Sequence, residues 1–377
     1  MLRVKYDAIV VGAGPAGSTV AENVSKKGFK TLLIDRSKRP GKVCGGYIFK
    51  EIIDTFKIPE HIIERKLAGT IKYAPDGTCV CVKSGAFHSA TVFREAFDTF
   101  LAERAAENGA EFWTDAEAID LIRKDGQING IVVRKDGEKI DINSDIVIAA
   151  DGVNSILVQK AGLRTGWKPN QVSIAAQELF TVDKQDIDDF FHIVYSDKIA
   201  PVGYGYIIPK SETVLVGVVS LLSSISTNIN DYLSEMLKTR LVKETIKDGK
   251  KVKYECALIP SDGPIQKTVT AGFLGIGDTV GQTGPYSGGG THINLPIGVV
   301  ASEVICNALG NNDVSEQALS EYEKRWRTFV SELMLTEWKI RAHMTSDDMK
   351  NKYVEECCSM PLIEGSRIFE KRKIGWL

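Results

Sequence analysis

Gly12, Gly14 and Gly17 stand at GxGxxG spacing, between the apolar run Tyr6–Val11 and a segment where Ala16, Val20, Ala21 and Val24 recur at helical intervals. Glycines so placed serve phosphate binding. Gly12 makes a tight turn, Gly14 lets a pyrophosphate approach the backbone, and Gly17 allows the helix to pack on the strand. The helix N-terminus adds N–H groups and the positive end of its dipole, and Ala16 lies in that first turn. Gly28 ends the helix, "KTLLI" reads as a second strand, and Asp35 follows 18 residues after Gly17. A carboxylate there accepts hydrogen bonds from an adenosine ribose. Arg36 beside it points either to a 2′-phosphate or to a solvated charge, and joins the cofactor-binding candidates.

A different chemistry is on offer in "KRPGKVCGGY", where Cys44 stands between a Lys-Val pair and Gly45-Gly46. It is either a reactive group held against a cofactor or a small residue in a tight loop. An unperturbed thiol titrates near roughly 8.5, and the charge of Lys42 would lower that.

Two later stretches say which dinucleotide is meant. "DINSDIVIAADGVNSIL" is a strand ending at Asp151-Gly152, and "AGFLGIGDTVGQTGPYSGGGTHINL" is another, ending at Gly277-Asp278 before the run Gly288-Gly289-Gly290. "GIGDTVG" has GxGxxxG spacing with a carboxylate where a pyrophosphate would sit, so it is no second phosphate loop. Asp278 suits hydroxyl groups, such as the ribityl chain of a flavin. The helix opening at Gly289, Gly290 and Thr291 can set N–H groups against the pyrimidine end of the ring. The cofactor indicated is FAD.

The glycines at 12–17, Asp35, "VFREAFDTFLAERAAENGA", "AADG" and "GD…P…GGG" together resemble the FAD-binding pattern of the hydroxylase-type flavoprotein superfamily, from residue 4 to about 310. The resemblance implies that Arg94, the backbone near Ala118, and Asp151 join the cofactor site. Taken alone, Arg94 fits a surface ion pair with Glu95 or Asp98 equally well. Within that superfamily, "KVCGGY" resembles the cysteine–glycine element of the geranylgeranyl reductase family, which implies that Cys44 lies beside the isoalloxazine ring. "APVGYGYIIPK" resembles the tyrosine–x–tryptophan–x–phenylalanine–proline segment of the same family. Tyr204, Pro209 and Lys210 agree with it; Tyr206 replaces the tryptophan and Ile208 the phenylalanine. Cys44, Tyr204 and Tyr206 are therefore the catalytic candidates. The plain alternative for the tyrosines is strand alternation that puts both rings on one core face. His292 is a second proton source to weigh against a structural histidine.

The resemblance implies a reductase of isoprenoid carbon–carbon double bonds, acting on a prenyl lipid like the archaeal enzymes that saturate geranylgeranyl chains. An isolated alkene is a poor hydride acceptor, so a proton donor in a dry, apolar slot is required. With one dinucleotide fingerprint already assigned, electrons must come from ferredoxin, a deazaflavin coenzyme, or NAD(P)H bound without a Rossmann unit. A monooxygenase on the same scaffold and a non-catalytic prenyl-binding escort are the alternatives.

The elements that must position these groups predict an α/β protein with an α+β substrate part. The pattern gives a Rossmann-like FAD domain in three pieces (1–65, 90–160 and 268–310), a substrate sheet from 66–89 and 161–267, and a helical C-terminal segment, 311–377. "RKDGQINGIVVRKDGEKI" reads as a β-meander on the first of these. The 377 residues carry 47 Lys+Arg against 49 Asp+Glu, so no global field recruits nucleic acid. Seven cysteines without metal-ligand spacing fit a reducing compartment and no metal. No cleavable leader precedes the first strand, and "TVLVGVVSLLSSISTNIN" is too polar to span a bilayer, so the expected place is the cytoplasm, with peripheral membrane contact open. Between Ser315 and Met344 a stripe of Tyr322, Trp326, Phe329, Leu333 and Ile340 fits docking on the FAD domain or lipid contact. The tail "IFEKRKIGWL" fits an interfacial anchor or a solvated end.

Overall fold

The central strand Lys5–Val11 pairs in parallel with Glu138–Ala149 on one side and Thr31–Ile34 on the other. A computed structural model of the protein describes residues 5–84, 87–357, 366–373, 375 and 376. The chain forms two units: one takes the residues up to Lys42, Arg94–Trp167 and Asp262–Leu335, the other Val43–Phe93, Lys168–Ser261 and the chain from Thr336. The first boundary therefore falls at Lys42 instead of 65, because Tyr47–Phe49 and Arg65–Leu67 both pair with Ser89–Thr91 in a small sheet of the second unit.

In the first unit the sheet runs Val269–Thr270, Phe273–Gly275, Glu138–Ala149, Lys5–Val11, Thr31–Ile34, Glu111–Trp113. Ala8, Val10, Leu33 and Ile148 face the helices Pro15–Lys26 and Thr291–Gly310, whose Val20, Val24, Ile297 and Ala301 complete that core. Ile9, Val11 and Val147 face the other way, onto Ile128, Ile131 and Val133. Those belong to the meander of Ala116–Lys124, Gln127–Lys135 and Glu138–Ala149. Its two Asp-Gly turns carry positive φ at both residues, +52° and +82° in each, the primed-turn geometry that suits twisted hairpins. The helix Thr291–Gly310 is long and apolar enough to cross a membrane, yet its apolar residues lie in this core.

The long helix Glu316–Ala342 buries Leu319, Tyr322, Trp326, Val330 and Met334 in the same core. Phe329 and Trp338 stay 57% and 42% exposed. The expected stripe thus follows the i+4 row from Tyr322 and leaves Phe329 outside, as a helix packed along one ridge would.

In the second unit an eight-stranded sheet runs Lys251–Pro260, Val172–Thr181, Thr213–Leu221, Gly203–Pro209, Phe190–Val194, Gly69–Tyr73, Thr78–Ser84, Ser366–Lys373. Helices Ile229–Lys238 and Arg240–Ile246 cover one face through Leu233, Met236 and Val242. The opposite face carries Ala175, Tyr206, Ile208, Leu215 and Val219. Cys79 and Cys81 are both buried on Thr78–Ser84, as the sequence predicts for one strand face. Beyond the long helix the C-terminal segment is not helical throughout: Asp347–Glu356 is a helix and Ser366–Lys373 an edge strand. Trp376 is buried at 2% exposure, its indole donating to the Ala74 carbonyl at 2.8 Å, and so is neither solvated nor free for lipid. Leu377 and Cys358 lie outside the described residues.

Candidate functional site

Gly12 adopts φ +101°, and a Cβ on it would fall 2.3 Å from the Ala150 carbonyl oxygen. A Cβ on Gly17 would fall 1.9 Å from the Gly12 carbonyl oxygen. Both positions exclude any side chain, because backbone atoms cannot move aside. Gly14 differs: nothing lies within 4 Å of where its Cβ would be, so the chain is bare toward open space at the start of Pro15–Lys26. No side chain caps that helix, and Pro15 opens it. Asp35 ends the second strand, where its carboxylate accepts from the Ala13 and Ser37 amides at 2.9 and 2.8 Å. Arg36 is exposed and lends positive charge to Asp151.

The "AADG" and "GD" elements meet this loop. Asp151 lies against Gly12, and the Gly152 amide donates to Thr279 Oγ1 at 2.9 Å. A Cβ on Gly277 would touch the Ala16 methyl at 3.4 Å. Asp278 is buried, and Lys42 pairs with one of its oxygens. A Cβ on Gly290 would come within 3.1 Å of Asn294 Nδ2 and 3.3 Å of Asp278 Oδ1, so an amide and a carboxylate share one spot beside the glycine run. Thr291 begins the helix behind it, and His292 crowds Gly289, its Cε1 2.7 Å from that residue's Cβ position.

Two buried oxygens here, Asp151 Oδ1 and Asn294 Oδ1, have no hydrogen-bond partner among the described residues. Burial pushes the Asp151 carboxyl up to about 6, with Ser155, Arg36 and Arg164 pulling the other way. Buried polar atoms are rarely left unpaired without a function. Arg94 is buried, and its Nε and Nη2 donate to Asp98 at 2.7 Å each. This is an internal pair, while Glu95 binds Arg39 at the surface. Burial raises the Asp98 carboxyl despite the pull of Arg94. Ala118 lies in the meander ladder opposite Val133, its methyl in the core. The first unit thus gathers Gly12, Gly14, Ala16, Gly17, Asp35, Asp151, Asp278 and Gly290 around the start of one helix.

Cys44 and Gly45 belong to the second unit. Cys44 is half-buried, and its Sγ accepts from the Gly46 amide at 3.4 Å. Gly45 is pressed by Ile208, whose Cδ1 lies 2.5 Å from the missing Cβ. Tyr204 and Tyr206 project from Gly203–Pro209 on the face away from the helices, ring centroids 6.1 Å apart. The strand alternation puts both rings on one face, Tyr206 buried there and Tyr204 half-buried. The Tyr206 ring lies across Gly217, whose Cβ would fall 2.4 Å from its Cζ. Its hydroxyl donates to Gln177 Oε1 at 2.7 Å, and Gln177 Nε2 donates to Glu255 Oε2 at 2.7 Å. Burial lifts both phenols, with the charges of Glu337 and Cys44 adding at Tyr204. Both stay protonated at neutral pH.

The digeranylgeranylglycerophospholipid reductase of Methanocaldococcus jannaschii is 36% identical over 339 residues, covering 89% of this chain and 86% of its own. The chain belongs to the geranylgeranyl reductase family. A reductase of the same name from Methanothrix thermoacetophila is 33% identical, over 93% of this chain and 90% of its own. A family model described as lycopene cyclase protein matches residues 7–350. The solved structure of a geranylgeranyl bacteriochlorophyll reductase-like protein from Thermoplasma acidophilum superposes with TM-score 0.88, at 28% identity, covering 96% and 93% of the two chains. A flavin-dependent brominase, 19% identical with TM-score 0.73 over 93% of each chain, shares the fold.

For this reductase-family chain, three site residues escape the sequence. Asn294 is one of several polar residues after the glycine run, and only its orphaned oxygen marks it. Gln177 lies 29 residues from Tyr206 in the chain, on a strand whose pattern gives no hint of the pairing. Lys210 closes the "IIPK" stretch, yet its ammonium is wholly buried and donates to the carbonyls of Gly45 and Val92 at 2.7 Å each. Lys42, the cation expected to act on the thiol, is held by Asp278 instead.

Proposed function

We propose that the protein is an FAD-dependent reductase that saturates carbon–carbon double bonds in the geranylgeranyl-type chains of a membrane lipid. The observation that carries this is the kinship with digeranylgeranylglycerophospholipid reductases over about nine-tenths of the chain, in a chain whose second unit sets two phenols on one apolar sheet face and carries the Cys44 thiol in a loop whose Gly45 abuts Ile208 of that face. The first unit's residues fit FAD. Gly14 and the uncapped helix suit the pyrophosphate, Asp35 the ribose, and Asp278 with the unpartnered Asn294 the ribityl hydroxyls. Gly289, Gly290 and Thr291 suit the ring's pyrimidine edge; Arg36, Arg94, the Ala118 backbone and Asp151 complete the set.

FAD held there would, when reduced, supply the hydride for one alkene carbon. The chain's own residues do the rest. Cys44 holds a proton at Sγ for the second carbon, and Tyr204, Tyr206 and Ile208 line an apolar bed that excludes water. His292 stays a structural residue of the glycine turn. Electrons reach the flavin from ferredoxin, a deazaflavin coenzyme or NAD(P)H. The protein works in the cytoplasm and touches the membrane peripherally; exposed Phe329, Leu335 and Trp338 support that contact.

The test is anaerobic turnover of a digeranylgeranyl phospholipid by FAD-loaded protein with a chemical reductant, read by lipid mass spectrometry. Stepwise gains of two hydrogens are expected. Intact lipid with bound, reduced flavin would overturn the reading, and oxygen-dependent gain of an oxygen atom would replace it by monooxygenation.

A further inference from the structure

A buried ammonium normally has a carboxylate beside it, since an uncompensated charge away from water is costly. Lys210 departs from that rule. Among the described residues no carboxylate lies within salt-bridge distance, although the side chain is only 1% exposed. Its Nζ has two carbonyl acceptors, Gly45 O and Val92 O, and lies 5.2 Å from the Phe93 ring centroid. The residue is fixed from behind as well. Its carbonyl accepts from Arg65 Nε at 2.8 Å, its amide donates to Thr213 O at 2.8 Å, and the preceding Pro209 carbonyl accepts from Thr91 Oγ1 at 2.9 Å. Such a frame aims the ammonium at one place.

That place is the turn carrying Cys44. The Gly45 carbonyl is one of the ammonium's acceptors, the Gly46 amide donates to Cys44 Sγ, and a Cβ on Gly46 would fall 2.8 Å from Lys210 Nζ. The acids whose charge reaches Lys210 are Cys44, Glu64 and Glu255, with Cys44 foremost. Tyr204 and Tyr206 also feel the charge of Cys44, and burial keeps both phenols neutral.

We propose that Lys210 is the positioning residue of Cys44: it holds the Cys44–Gly46 turn in place and is the counter-charge of the Cys44 thiolate. This rests on the reading of Cys44 as the proton source and deepens it. When Sγ–H breaks and the proton forms a C–H bond on the alkene carbon opposite the incoming hydride, a thiolate is left in a half-buried turn. The Lys210 ammonium neutralises that thiolate. The thiol is restored when a proton returns to sulfur, from Nζ or from water. Burial alone would make a thiol a weaker acid; the ammonium reverses this. Burial pushes Lys210 itself down to about 8, so at neutral pH it still carries its proton and can pass it on.

The experiment follows alkylation of Cys44 in the FAD-loaded protein by iodoacetamide across pH 6–10, resolved from the other cysteines by peptide mass spectrometry. The native midpoint should lie below the ordinary thiol value of roughly 8.5, and Lys210→Met should raise it by about one pH unit or more. At pH 7.5 that slows alkylation by about fivefold or more, and Lys210→Arg, which keeps the charge, should restore most of the rate. An unchanged midpoint in Lys210→Met overturns the pairing. Should that variant not fold, the native profile decides: a midpoint at or above the ordinary value also overturns it. Cys44→Ala tests the parent reading separately. If it keeps full turnover while Lys210→Met still moves the thiol, the proton-donor role falls and the pairing stands.

Discussion

The candidate groups of the two units are built by opposite means. In the first unit, Gly12, Gly14, Gly17 and Gly290 make a cradle of main chain, lined by Asp35, Asp151, Asp278 and Asn294. In the second, the candidates are side chains: a thiol, an ammonium, two phenols and an amide, with Gly45, Gly46 and Gly217 making room for them. The first kind fails when atoms are added, the second when atoms are removed.

The largest effects therefore belong to added methyls. Gly12→Ala and Gly17→Ala should each lower stability by about 3 kcal/mol or more, since each new Cβ would overlap backbone carbonyl oxygen. Gly14→Ala meets nothing, so stability without FAD should fall by no more than about 1 kcal/mol. FAD affinity should nonetheless drop about tenfold or more, because the methyl occupies the pyrophosphate's approach. Thermal denaturation and flavin titration separate the three. A Gly14→Ala protein that unfolds, or that binds FAD normally, would erase the distinction between structural and ligand-facing glycines.

This division also explains how much could be read in advance. Glycine spacing, the acid at 35 and the paired "AADG" and "GD" strand ends lie in short windows, because a strand–turn–helix unit fixes its own geometry. The parallel sheet, the meander and the buried strand Thr213–Leu221 were legible for the same reason: period and turn chemistry are local. The second unit's group joins Cys44, Val92, Gln177, Tyr206, Lys210 and Glu255 through strand register, and no window holds two of its partners except Tyr206 and Lys210. The cation expected to act on the thiol was its neighbour in sequence, Lys42, which pairs with Asp278, whereas Lys210, far off in sequence, donates to the carbonyl of Gly45. The C-terminal tail misled by composition. Basic residues and a tryptophan suggest lipid or water, whereas an open sheet edge beside Thr78–Ser84 takes up the strand, and Trp376 fills a gap by Tyr73.

Next in size are the removals. Tyr206→Phe leaves Gln177 Oε1 without its donor, and Gln177→Leu removes the acceptor of the Tyr206 hydroxyl and the donor to Glu255 Oε2, while Glu255 Oε1 keeps its ion pair with Lys253. Each should cost about 1–3 kcal/mol. The double variant Tyr206→Phe/Gln177→Leu should cost less than the sum by about 1 kcal/mol, as expected for groups that bond each other. Denaturant unfolding of the four proteins measures this coupling, and strict additivity would show that the bond does not hold the ring over Gly217. Because the family segment has tryptophan at this position, Tyr206→Trp offers a further reading. An indole would still cover Gly217, and its single N–H is the only group that could replace the phenol as donor to Gln177 Oε1.

An effect that emerges only as pH rises comes from a carboxylate of the backbone-built site. Asp151 is half-buried, its Oδ1 is out of solvent with no partner among the described residues, and desolvation raises its carboxyl to about 6 instead of 3.8. The folded protein then binds a proton more tightly than the unfolded chain. Its neutral form is favoured at low pH, and stability contributed by this group is lost as pH rises from about 4 to about 6. By pH 7 the full penalty is present, on the order of 1–3 kcal/mol. Asp151→Asn keeps the shape without the charge, so it should match the wild type near pH 4, exceed it at pH 7, and flatten the pH profile between. Urea unfolding without FAD at several pH values checks the sign. With FAD bound, the advantage of asparagine should change by an amount set by what the cofactor gives to Oδ1. A hydrogen-bond donor there would favour the carboxylate and shrink the difference, whereas a nearby phosphate would disfavour it and widen the difference.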